Sequence, residues 1–179
     1  AARSESGIPI RLPKADDQLT VLLCVPGEQP SFLLAYLNAS QNCVHLLSVP
    51  SVLTVPFAEG EATLAQCYTD AGPARCREAL TETLAMPQDT HYLALSPAVL
   101  ERIAGRYGPV RVSLSGALTD DELARYGRSR AVQGISAGDA HELLCQLQAD
   151  AALSPQRTAA ARAAVWDAVF RQNLDLLPT

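Results

Sequence analysis

Two apolar runs, Phe32–Leu37 and Cys43–Val49, separated by the polar pentapeptide Asn38-Ala-Ser-Gln-Asn42, constrain this chain more than any other stretch. A short polar break between two such runs reads as a hairpin between two strands. A strand with one wet face alternates apolar and polar side chains; these two are nearly continuously hydrophobic, which predicts a hairpin covered on both faces. That places Leu34, Leu37, Leu46 and Leu47 in the core.

The neighbouring segments extend the pattern. Leu19-Thr-Val-Leu-Leu-Cys-Val25 is strongly β-prone and stops at Pro26-Gly27, while Val52–Val55 reads as an edge segment stopped by Pro56. Helices are predicted over 61–70 and 74–86, divided by Gly72-Pro73. A strand is expected at His91–Leu95. Ser96-Pro97 then opens a helix to about Arg106, with Ser as N-cap and Pro at the first helical position. Val110–Leu114 alternates as a strand with one wet face, and all five strands are expected to share one sheet. Thr119 and Glu122 make a capping box for a short helix over 119–126, 127–134 reads as a polar loop, and helices at 136–149 and 155–174 close the chain. The last is Ala-rich, with Trp166, Val169, Phe170 and Leu174 toward the core. Strands interleaved with helices predict an α/β fold, a single three-layer domain with a central mixed β-sheet flanked by helices. Residues 1–18 form an extended lead-in and 19–179 the domain.

A chain of 179 residues, 48% hydrophobic and 18% charged, is long enough to bury one sizeable core. Its net charge of −5 and scattered arginines argue against a nucleic-acid partner. No apolar run reaches the ~18–20 residues of a transmembrane helix. The polar start, Ala1-Ala-Arg-Ser-Glu-Ser-Gly7, reads as the stump of a precursor trimmed at an anchor or linker. Cys24, Cys43, Cys67, Cys76 and Cys145 show no Cys-x-x-Cys spacing, and buried free thiols are the expectation. No metal site is expected, since His45, His91 and His141 come from separate elements.

Gly134-Ile-Ser-Ala-Gly138 fits a nucleophile-elbow pattern, but a poor strand precedes it and the only later His is His141. Ser136 reads better as a helix N-cap with Asp139 in the first turn. Arg75 and Arg77 follow Gly72-Pro73 at a helix start, where backbone N–H groups can hold an anion. Solvent-exposed arginines are the simpler reading.

The hairpin also carries a family resemblance. Pro30-Ser31 stands where LytR–CpsA–Psr proteins have Asp-Thr, and Ser48-Val49-Pro50-Ser51-Val52 stands where they have Ser-hydrophobic-Pro-Arg-Asp. Thr63–Tyr68 with Ala71-Gly72-Pro73, Glu82–Tyr92, Tyr107–Val112, Gly138–Leu144 and Pro155-Gln-Arg157 resemble further family segments in unbroken order. The resemblance implies an extracytoplasmic domain, membrane-tethered upstream, related to enzymes that transfer glycopolymers from polyprenyl pyrophosphate to peptidoglycan. Such chemistry uses Arg side chains to clamp phosphate and carboxylates to hold Mg²⁺.

The departures fall on that machinery. Pro30 replaces the Asp, Ser51 and Val52 replace the Arg-Asp, and Gln146 or Gln148 replaces an Arg. Ala160 and Ala161 replace an Arg-Gln, with Arg162 displaced by one position. The implied reading is a degenerate transferase site on a cell-envelope accessory or binding domain. It needs no cofactor, and its partners are a lipid or polyprenyl chain and a cell-wall glycopolymer. The alternative is an active phosphotransferase with a rearranged arginine set, Arg75, Arg77, Arg157 and Arg162, recognisable if these converge on one pocket.

Overall fold

The computed structural model describes Lys14 and residues 16–174. Strands β1 (Gln18–Val25), β2 (Ser31–Asn38), β3 (Cys43–Val49) and β6 (His91–Ala94) form a mixed sheet in the order β3-β2-β1-β6. The first three pair antiparallel and β6 runs parallel to β1, with Leu22 beside both Leu34 and Tyr92. The Asn38 side chain closes the hairpin, its Oδ1 accepting from Ser40 Oγ at 2.7 Å and Gln41 N at 3.1 Å. Asn42 takes the left-handed conformation at φ 49° that Asn tolerates in such turns.

The two faces of the sheet carry separate cores. On one, Leu22, Cys24, Phe32 and Val49 pack against helix α1 (Leu64–Thr83). On the other, Leu23, Val25, Leu33 and Ala35 meet helices α2 (Pro97–Tyr107), α4 (Ala137–Ala149) and α5 (Pro155–Leu174). This is the expected three-layer arrangement, with β1 and β2 buried on both sides. Leu46 and Leu37 pack half-buried beside the second core and Leu34 beside the first. Leu47 departs from expectation at 56% exposed, because β3 is the outermost strand and the packing of the first core ends at its neighbour Val49.

Val110–Leu114 does not join the main sheet. Strand β7 (Val110–Val112) instead pairs antiparallel with β8 (Gln133–Ile135), a ribbon set against α5. Its alternation of buried Val110, exposed Arg111 and buried Val112 suits a ribbon with one wet face. β8 falls at the end of the expected polar loop; its Gln-Gly-Ile sequence carries little strand propensity, and pairing with β7 defines it. A second departure is the hairpin β4 (Thr54–Phe57) with β5 (Gly60–Thr63), which runs through Pro56. Pro lacks an N–H but is tolerated in a two-stranded edge. This hairpin delays α1 to Leu64, capped by Thr63 Oγ1 accepting from Gln66 N at 3.2 Å.

The predicted break at Gly72-Pro73 is present as a kink within α1, Gly72 adopting φ 76° and ψ −175°. The predicted Thr119–Glu122 capping box forms, and the predicted Ser136 cap proves to be a capping box as well. Thr119 and Glu122 open helix α3 (Asp120–Arg125), and Ser136 with Asp139 opens α4, which makes Ser136 a cap. The start of the lead-in and the side chain of Leu174 lie outside the described residues.

Candidate functional site

One end of the sheet gathers the positions where the sequence departs from the family pattern. β2 starts there at Ser31, β3 leaves through Pro50-Ser51-Val52, the last turn of α4 brings Gln148, and the second turn of α5 brings Arg162. Gln148 Nε2 donates to Ser51 Oγ at 3.1 Å, Arg162 Nη1 donates to Gln148 Oε1, and Arg162 Nη2 donates to the Phe32 carbonyl at 3.3 Å. The Ser51 carbonyl also accepts from Ala65 N at 2.9 Å. Ser51 is thus held by helices from both layers, α1 through its backbone and α4 through its hydroxyl.

Arg162 is only 2% exposed, and none of the ion pairs among the described residues involves it. Desolvation pushes its pKa down to about 10, opposed by the Cys145 thiol, so the guanidinium remains charged at neutral pH. A buried cation held only by a neutral amide and a backbone carbonyl is uncommon, because removing the ion from water costs several kcal/mol that a carboxylate would ordinarily offset. Arg162 Nε and Ser31 Oγ are buried without a hydrogen-bond partner.

The turn between β1 and β2 lies on α4 beside this relay. Cys145 Sγ donates to the Pro26 carbonyl at 3.5 Å, and a Cβ on Gly27 would fall 2.9 Å from that sulfur, which would have to shift to admit it. His141, one turn earlier, is buried, and desolvation lowers its pKa against a smaller opposing contribution from the Pro26 backbone.

The other predicted positions are spread more widely. Pro30 is buried, Val52 is 74% exposed and Ala160 faces solvent. Arg157 ion-pairs with Glu122 of the α3 capping box. Arg75 and Arg77, on the opposite face of the sheet, share Glu78 at 3.3 and 3.5 Å, and Arg75 also reaches the Pro56 carbonyl at 3.3 Å. Arg162 is therefore the one candidate arginine that enters the relay. Of the two glutamines the sequence left open, Gln148 joins it, while Gln146 bonds Glu142 at 2.9 Å on the exposed side of α4. The Phe32 carbonyl was not legible in the sequence, since any residue supplies one.

His45 stacks on Tyr36 with centroids 6.0 Å apart, His91 is exposed and His141 is buried in another layer. Among the described residues no group of three or more His, Cys, Asp or Glu can hold a metal ion. At the positions where the family resemblance places its carboxylates stand Pro30 and Val52. Two open grooves among the described residues lie away from the relay. One of about 390 Å³ is bordered by Arg111, Ser113 and Asp167, and one of about 330 Å³ by Arg77, Glu78 and Thr81. No helix among the described residues is long and apolar enough to cross a membrane.

No protein-family model and no curated protein matches the sequence. Solved structures do match its fold. TagT of B. subtilis superposes with a TM-score of 0.73 at 15% identity, over 93% of this chain and 69% of that one. TagT bound to LIIa-WTA gives 0.73 at 16% identity, over 98% and 73%. The LytR-CPS2A-psr family protein YwtF (TagT) with bound octaprenyl pyrophosphate lipid gives 0.65 at 14% identity, over 93% and 74%. The sequence resemblance and the structural one point to the same group: the chain has the LytR–CpsA–Psr fold.

Proposed function

We propose that this domain is an accessory or binding module of the cell envelope, extracytoplasmic and tethered upstream, whose polyprenyl-pyrophosphate transferase site is degenerate. The relay from Arg162 through Gln148 to Ser51 carries the reading. Three positions at or beside family charges are occupied by residues that hydrogen-bond to one another. The single remaining cation spends its donors on a backbone carbonyl and an amide. A pyrophosphate arriving there would have to displace those bonds and would meet no carboxylate-held Mg²⁺ to share its charge.

The partners that fit are a lipid or polyprenyl chain and a cell-wall glycopolymer, in line with what the TagT structures hold. Apolar recognition scales with buried area at ~25 cal/mol per Å² and survives the loss of charge. The active-transferase alternative requires the arginines to gather. Arg75 and Arg77 on α1, and Arg157 of α5 paired with Glu122 of the α3 cap, are each engaged elsewhere, which supports the accessory role.

Calorimetric titration with a short polyprenyl pyrophosphate and with its uncharged alcohol, each with and without Mg²⁺, tests the reading. The two ligands should bind within a few-fold of each other and ignore the metal. A pyrophosphate that binds at least tenfold more tightly and requires Mg²⁺ establishes the active enzyme instead.

A further inference from the structure

The kink in α1 does more than bend a helix. In a straight helix, Leu64 and Cys76 would stand ~18 Å apart along the axis. Here Cys76 Sγ lies 3.7 Å from the Leu64 carbonyl, because Gly72 turns the chain and Pro73 starts the second segment folded against the first. Cys67, one turn beyond Leu64, is brought to the same place. The two thiols share one buried cluster and stand close enough that each acts on the other's ionisation. Both side chains are 0% exposed and sit in the core cluster with Leu22, Phe32 and Leu80.

Cys24 shares that cluster, yet the described residues hold no three-ligand metal group, so a two-sulfur bond is the chemistry that fits. We propose that Cys67 and Cys76 form an intramolecular disulfide that closes the kink of α1. The oxidant is a small-molecule disulfide such as oxidised glutathione. One cysteine thiolate attacks it, releasing the first thiol and leaving a mixed disulfide. The second thiolate then displaces the other half, so two protein thiols become one S–S bond and the oxidant becomes two thiols.

The timing follows from burial. Desolvation raises both thiols in the folded chain, which suppresses the attacking thiolate, so exchange belongs to the folding chain before the core closes. The short sequence separation makes that early closure inexpensive in entropy. Burial afterwards shields the bond from reductants. In the cell the bond needs an oxidising compartment, which rests on the extracytoplasmic reading above; the experiment in vitro does not.

The test is to refold the reduced chain in a glutathione redox buffer, block free thiols in denaturant, and digest after Glu and Arg. The expected product is the peptide 62–75 linked to Cys76-Arg77, with the five thiols falling to three. Adding the oxidant to the already folded, reduced protein should give the same bond many times more slowly. Five free thiols after refolding, or a bond that uses Cys24, Cys43 or Cys145, overturns the proposal. Neither result depends on how the domain binds pyrophosphate.

Discussion

Arg157 and Arg162 lie little more than one turn apart on α5, and both answer to the same expectation of an anion-binding arginine. Their surroundings are opposite. Arg157 is 43% exposed and pairs with a carboxylate, whereas Arg162 is 2% exposed and pairs with none. Water screens the first, so its ion pair is worth little. The second is embedded in the packing of three elements, and its worth lies in the acceptors it satisfies and the space its stem fills. A buried cation that has become part of the scaffold is poorly placed to turn toward a ligand.

The largest expected effect breaks that scaffold directly. Arg162→Ala strands Gln148 Oε1 and the Phe32 carbonyl and empties the buried space that its stem fills. The loss should be ~2–5 kcal/mol in the urea midpoint analysis. Arg162→Met fills most of the volume and removes the desolvated charge, so it should cost distinctly less, because an apolar replacement recovers part of the burial penalty. If Arg162→Met loses no stability, the residue contributes by its volume alone and the relay is incidental; if it loses as much as Arg162→Ala, the filled volume contributes nothing.

A smaller effect tests the middle of the relay. Gln148→Leu removes the amide that joins Arg162 to Ser51 while keeping the volume. It should cost ~1–3 kcal/mol, the usual penalty for leaving buried polar partners unmet. Combined with Arg162→Met, the losses should be less than additive, since both remove the same hydrogen bond. Full additivity would show that the two residues act independently.

The central hairpin was legible because unbroken hydrophobicity has a direct physical meaning, cover on both faces, and β2 obeys it while β3 does so only in part. Leu47 was misplaced by the same rule, since a sequence shows that a strand is apolar without showing that it is outermost. The Thr119–Glu122 capping box and the Ser136 cap were legible from local sequence, while the reciprocal bond of Asp139 to the Ser136 N–H came only with the structure. The β7–β8 ribbon was not, because it joins residues more than twenty apart and one strand has almost no propensity of its own. At the site, the family resemblance marked Ser51, Arg162 and a choice between two glutamines. Only the face of α4 that turns inward could select Gln148, and only the chain path could bring in the Phe32 carbonyl.

The smallest effect belongs to Arg157, and its dependence on pH separates the two arginines most cleanly. Glu122 is held below its ordinary pKa first by the Thr119 backbone N–H, then by the Thr119 hydroxyl and Arg157, against a desolvation that raises it. A carboxylate whose folded pKa is depressed stabilises the fold above its unfolded value, and that contribution is lost as pH falls through the folded one. Arg157→Ala removes a lesser part of this, and the capping box remains. The variant should therefore lose less than either relay variant at neutral pH and less again in high salt. Its difference from the wild type should vanish in acid once Glu122 is protonated. Arg162→Ala should keep its full deficit over the same acid range, because no carboxylate partners Arg162. Urea midpoints for both variants at pH 7 and pH 2.5, in low and high salt, measure this. An Arg157→Ala deficit as large and as indifferent to acid as that of Arg162→Ala would mean that both arginines are structural, and the contrast between them would fail.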